Sequence, residues 1–159
     1  MKILVTNDDG VSSPGLWKAA EALLPLGEVW VVAPDREQSG VGSAMTLHIP
    51  VRAREVFPMV QGVKAAYAVE GTPADSVVLA TEKLVGPVDL VVSGINTGSN
   101  VGGDILVSGT VGAALQGYFR GFNSLAVSLA AMRDLHYETA TRLISLLVPQ
   151  LFRDSLPTP

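Results

Sequence analysis

Along the chain, short apolar runs alternate with stretches in which apolar residues recur every three or four positions, the pattern of doubly buried strands interleaved with amphipathic helices. Lys2 to Thr6 is the first such run and ends at the polar Asn7. Ser13 then stands where a helix cap belongs and Pro14 suits the first helical position. Leu16, Ala19, Ala20, Leu23 and Leu24 follow on one helical face up to Gly27. Glu28 to Ala33 predicts a second buried strand, and Asp89 to Ser93 a third. Between them, Ile49, Val51 and Ala53 alternate with His48, Arg52 and Arg54. This predicts a half-exposed strand or small β-ribbon over His48 to Phe57, outside the main sheet, with Ala65 to Val69 pairing near it. Thr72-Pro73-Ala74-Asp75 reads as a helix start, with Val77, Val78, Thr81 and Leu84 as its apolar stripe. Gly94 to Asp104 is too rich in glycine to predict regular structure, and a helix begins near Ser108-Gly109-Thr110. Ser124 to Ser128 reads as a further strand. Tyr137, Ala140, Leu143, Ile144, Leu147, Val148 and Leu151 make a last amphipathic helix, and nothing regular is predicted for Asp154 to Pro159.

Strands and helices alternating in this order predict an α/β three-layer sandwich, doubly wound around a mostly parallel sheet, with residues 1–159 as a single domain. Composition narrows the functions such a fold can carry. A net charge of -4, with eleven scattered basic residues, excludes an extended nucleic-acid-binding face, which needs clustered Lys and Arg. Any anionic ligand has to be captured locally, by a cation or by backbone amides. Zero Cys excludes disulfides, thiolate metal sites and cysteine nucleophiles. His48 and His136 have no partner spacing of a triad or zinc site, so surface or core roles are expected of them. No apolar run approaches the roughly 18 to 20 residues of a membrane span. With acids already at Asp8 and Asp9, a cytoplasmic protein with no membrane partner is expected.

The candidate chemistry gathers in three polar loops, each following a predicted parallel strand: Asn7-Asp8-Asp9-Gly10, Asp35 to Ser43, and Gly94 to Ser108. The carboxyl edge of a parallel sheet brings such loops together. Adjacent carboxylates, hydroxyls and side-chain amides are hard oxygen donors, suited to Mg²⁺ or Mn²⁺, and Asp8 and Asp9 can converge on one ion that offsets their repulsion. Either acid can equally cap the turn into Ser12-Ser13-Pro14, and Ser39, Asn96 and Asn100 are ordinary turn residues taken one at a time. Small residues from Ser108 to Ala114 let amides at a helix start approach an anion such as phosphate, while Gly112 and Ala113 also serve close packing. Asp75 and Asp104 read as a helix-start acid and a loop charge.

Five blocks resemble the SurE (survival protein E) family: Ile3 to Gly10, Ala33 to Gly40, Gly71 to Val77, Ser93 to Asn100, and Ser108 to Ala114. The resemblance implies a Rossmann-like fold and a 5'(3')-nucleotidase, a metal-dependent phosphohydrolase of nucleoside monophosphates, with polyphosphate trimmed by some members. It implies one divalent ion, Mg²⁺ or Mn²⁺, on Asp8, Asp9, Ser39 and Asn96, with Asp8 and Asp9 catalytic. Phosphate handling falls to Asn96, Asn100, Ser108, Gly109 and Thr110. It further implies a homodimer or homotetramer assembled through C-terminal extensions, although this chain is shorter than family members usually are. Val107 stands where the family often has an aromatic residue. Two other readings remain: a phospho-acceptor receiver domain, which needs a lysine that Ser124 to Leu129 does not supply, and a non-catalytic nucleotide-binding module, whose glycine-rich turn is replaced here by Asp8-Asp9-Gly10.

Overall fold

The computed structural model describes residues 1–131 and 133–152, so the tail Asp154 to Pro159 lies outside the described residues. Six strands, β1 (Lys2–Thr6), β2 (Glu28–Pro34), β3 (Ala53–Val56), β4 (Ala66–Val69), β5 (Leu90–Thr97) and β6 (Asn123–Leu129), form one sheet in the order β3-β4-β2-β1-β5-β6. Every neighbouring pair is parallel except β3 with β4. The central β1 is apolar throughout because the sheet is covered on both faces. Ile3 and Val5 pack into one layer with helices α1 (Pro14–Leu23) and α5 (Glu138–Leu151). Leu4 packs into the other with α2 (Pro73–Leu79), and the sheet on that side is also covered by α4 (Gly109–Phe119). Ile3, Leu4 and Val5 are fully buried, each contributing about 1.5–3 kcal/mol of hydrophobic transfer.

Three features differ from the sequence expectation. The antiparallel pair β3–β4 forms, but it is no ribbon apart from the sheet, because β4 runs parallel to β2 from Val31↔Ala66 to Pro34↔Val69 and joins the main ladder. Val69 and Ala66 are buried there, and that burial docks the pair, whereas His48 and Ile49 stay exposed outside any strand. Strand β5 does not stop at Ser93. It continues through Gly94-Ile95-Asn96-Thr97, pairing Asn96 and Thr97 with Ser128 and Leu129 after a shift in register. Ile95 is fully buried, and a Cβ on Gly94 would lie 2.2 Å from the Val127 carbonyl oxygen. Glycine is there to let two strands close up. In α5 only Ala140, Ile144 and Val148 are buried, while Leu143 and Leu147 remain 49% and 43% exposed, because the helix touches α1 along a narrow i, i+4, i+8 stripe.

The caps follow the sequence more closely. Ser13 takes the cap position of α1, with Pro14 next, but its side chain makes no capping bond, and Leu24 falls in a following 3-10 turn, Leu24–Leu26. Thr72 and Asp75 form a reciprocal capping box on α2. The buried Asp75 also accepts from the Thr46 amide at 2.9 Å and from its hydroxyl at 2.6 Å, tying the segment after β2 to the helix. Asp75→Ala leaves those donors unpaired and removes half the box. It is expected to lower unfolding free energy by about 2–4 kcal/mol in urea titration. A loss under 0.5 kcal/mol would show the bonds to be dispensable.

Candidate active site

Strand β1 is flanked by β2 on one side and β5 on the other. Such a point, where successive connections leave in opposite directions, opens a crevice beyond the carboxyl ends of the strands. The loops after β1, β2 and β5 meet there. Asn7 shapes the first turn: its fully buried side chain donates to the Gly10 carbonyl and accepts from the Gly10 amide at 3.1 and 3.2 Å. The second loop is held by the Gln38 amide, which donates to the Asp8 carbonyl at 2.7 Å. It is held again by the Gly42 amide, which donates at 2.8 Å to the carbonyl of Val107, the last residue of the short helix α3 (Asp104–Val107).

The resulting cleft has a volume of about 400 Å³ and is lined by Asp8, Ser39, Asn96, Asn100 and Ser108 together with Thr97, Gly98, Ser99 and Asp104. The lining thus joins residues from all three loops. Asp9 stands beside Asp8, with its Oδ2 buried and without a hydrogen-bond partner. Asn96 Nδ2 donates to the Gly98 carbonyl at 2.8 Å, which leaves its Oδ1 uncommitted. Ser39 Oγ donates to Glu37 Oε1 at 2.8 Å, leaving the hydroxyl oxygen's lone pairs available. Ser108 caps α4 by accepting from the Val111 amide at 3.2 Å, so its own proton is free to be donated, and Asn100 Nδ2 donates to Ser128 Oγ at 2.7 Å.

Burial sets the electrostatics. Desolvation pushes the Asp9 carboxyl up from 3.8 to about 6, reinforced by the neighbouring Asp8 charge and Glu37, with the Thr97 backbone amide offsetting part. Desolvation also raises Asp8, against the lowering effect of hydrogen bonds from Thr110. Two like charges that the protein withdraws from water, one with an orphaned oxygen, require a counter-charge. The all-oxygen donor set around them fits a hard divalent cation. Among the described residues no group of three or more His, Cys, Asp or Glu makes a metal cluster, so such an ion would depend on Ser39 and Asn96 as well.

Several residues have partners or places in the structure that the sequence did not announce. Asp104, read as a loop charge, lines the cleft. Glu37 and Gln38, which buttress the site, carried no signal of their own beyond lying in a polar loop. Thr110, expected at the phosphate, is fully buried, and its hydroxyl donates to Asp8 Oδ1. Gly112 packs as its small size predicts, since a Cβ there would fall 2.4 Å from the Gly42 carbonyl oxygen. His48 and His136 are exposed and outside the cleft. A larger groove, about 580 Å³ between α1 and α5, is lined by Lys18, Glu21, Glu138 and Arg142 and has no comparable convergence of donors.

Fold and cleft together define a Rossmann-like α/β protein whose sheet edge gathers oxygen donors and the start of a helix around one polar cleft. The comparisons with known proteins narrow that class. The family model described as survival protein SurE matches residues 3–158. The 5'-nucleotidase SurE of Dehalococcoides mccartyi is 58% identical over 130 residues, covering 81% of this chain and 49% of that protein. The enzyme of the same name from Geobacter metallireducens is 50% identical over 159 residues, covering 99% of this chain and 61% of its own length. The crystal structure of SurE protein from Aquifex aeolicus superposes with a TM-score of 0.89 at 38% identity, covering 99% of this chain and 62% of that one. This chain belongs to the SurE family. It spans about half to three-fifths of the length of those relatives. Among the described residues no helix is long and apolar enough to cross a membrane.

Proposed function

We propose that this chain carries the active site of a metal-dependent phosphohydrolase that removes phosphate from nucleoside 5'- and 3'-monophosphates. One observation bears most of the weight: a buried Asp8, which lines a polar cleft, stands next to a half-buried Asp9, one of whose carboxylate oxygens is shielded from water and has no partner. The relatives' name, 5'-nucleotidase SurE, supplies the substrate class. In this reading Asp8, Asp9, Ser39 and Asn96 hold one divalent ion, Mg²⁺ or Mn²⁺. When bound, such an ion neutralises phosphoryl charge and lowers the pKa of a water.

The chain's own residues do the rest. Asp9 Oδ2, free of protein partners, orients the attacking water, while Asp8 stays fixed as a ligand. The Ser108 hydroxyl proton, the second Asn100 amide proton and the Gly109 amide at the start of α4 bind phosphate oxygens, aided by the helix dipole. Positioning and electrostatics supply most of the rate in phosphoryl transfer, so no protein nucleophile is needed. The same reading takes the described sheet and its two layers as one domain and expects a homodimer or homotetramer in the cytoplasm.

Hydrolysis of nucleoside monophosphates with and without Mn²⁺ or Mg²⁺ tests the reading, with Asp8→Asn and Asn96→Ala alongside the wild-type chain. Turnover should need the ion and fall about 100-fold or more in each variant. Equal rates in all cases remove the metal site. No lysine lines the cleft among the described residues, which tells against a receiver domain, and nucleotide binding without turnover would favour the binding-module reading.

A further inference from the structure

The first turn of α4 faces Asp8. Thr110 Oγ1, fully buried, donates to Asp8 Oδ1, and the Thr110 backbone amide is turned toward the same carboxylate. Gly109 lets this turn come close: a Cβ there would lie 2.7 Å from Asp8 Cβ and 3.0 Å from Asp8 Oδ2. The Asp8 main chain is pinned independently, its carbonyl accepting from Gln38 at 2.7 Å. Asp8 is therefore held from two places far apart in sequence, its carboxylate by Thr110 and its main chain by Gln38, and Thr110 contributes nothing to the wall of the cleft.

Resting on the metal-site reading above, we propose that Thr110 is a positioning residue for Asp8 and makes no contact with phosphate. Its hydroxyl fixes the rotation of the Asp8 carboxylate, so that one oxygen is committed to the protein and the other offers its lone pair to the ion in a single direction. A carboxylate ligand without such a partner is free to rotate, and loss of a partner of this kind costs 10- to 100-fold in metal affinity or activity. It also ties the two halves of the site together, because the helix that carries Thr110 starts with the amide of Gly109.

Mn²⁺ titration by electron paramagnetic resonance, with inorganic phosphate inhibition measured separately at saturating Mn²⁺, tests the assignment on the full chain. Thr110→Val, which keeps the shape and removes the hydroxyl, should weaken Mn²⁺ about 10- to 100-fold and leave phosphate inhibition within about threefold of wild type. Thr110→Ser, which restores the hydroxyl, should recover Mn²⁺ binding to within about threefold. Metal-free melting curves confirm that both variants are folded, and if the Val variant is not, Thr110→Ala takes its place, because Ala and Ser differ by the hydroxyl alone. Unchanged Mn²⁺ binding with weakened phosphate inhibition in Thr110→Val overturns the proposal in favour of a phosphate contact. Equal losses in the Val and Ser variants overturn it in favour of methyl packing. Should wild type and Asp8→Asn bind Mn²⁺ equally weakly, the metal-site reading fails with it, whereas a failure of Thr110 alone leaves Asp8→Asn defective.

Discussion

Asp9→Asn is expected to lower nucleoside monophosphate turnover about 100-fold or more and, in chelator, to make the protein more resistant to unfolding at pH 7.5. Both effects come from one carboxylate. The unfolded group titrates near 3.8 and the folded one near 6, so between those values the native state keeps a proton that the unfolded chain releases. Stability from this group is present at low pH and is lost as pH climbs through 6, with Asp8 shifted in the same direction. Above that window the native state carries a charge it disfavours, and the amide removes the penalty. Solvent around the half-buried side chain screens most of it, leaving a gain of about 1 kcal/mol. Urea unfolding at pH 5 and pH 7.5 should show wild type more stable at pH 5 by part of this contribution, the rest being lost already between pH 3.8 and 5, and the variant with a shallower slope that leaves the share of Asp8. Added Mn²⁺ should reverse the wild-type trend, because protons compete with the ion for the same oxygens. A variant that turns over like wild type, or keeps its pH slope, would separate Asp9 from the site.

Gly109→Ala should be nearly as damaging to activity with a different stability signature. The added Cβ would stand 2.7 Å from Asp8 Cβ, 3.0 Å from Asp8 Oδ2 and 3.1 Å from the Gln38 carbonyl oxygen. None of these is the far end of a flexible chain, so either α4 or the Asp8 turn has to move. Displacement of that size costs about 1–3 kcal/mol in folding, and a misplacement of about 1 Å costs around 100-fold in turnover. Chemical denaturation paired with steady-state kinetics at saturating Mn²⁺ checks both numbers. Wild-type kinetics in Gly109→Ala would mean that the close approach of α4 to Asp8 does not matter for the reaction.

Much of this architecture was legible in one sequence because its signals are local. A doubly buried strand needs apolar side chains at successive positions, and Ile3-Leu4-Val5 and Val29 to Ala33 carry them. A helix start needs a cap and a tolerant first position, which Thr72-Pro73 announces and the capping box with Asp75 fulfils. Polar loops after three such strands point to one edge, and Asp8, Ser39, Asn96, Asn100 and Ser108 do line one cleft there.

What was not legible depends on partners far along the chain. Gly94 reads as a loop breaker until the Val127 carbonyl is seen against it, and only then does β5 extend to Thr97. Leu143 and Leu147 share the periodicity of Ile144 and Val148, but how wide a stripe α5 buries is decided by its contact with α1. Thr110 looks like a phosphate ligand by its motif, and the 102 residues separating it from Asp8 hide the hydrogen bond between them.

By itself, then, the amino-acid order determined which residue types were available, which segments would be strands and helices, and which sheet edge would carry the chemistry, because backbone preference and the burial period act over a few neighbours. Only the tertiary structure decided which of those polar groups face the cleft, which hold another in position, and which carboxylate is left with an unpaired oxygen. Desolvation and hydrogen-bond direction are properties of the assembled surroundings, and no stretch of chain contains them.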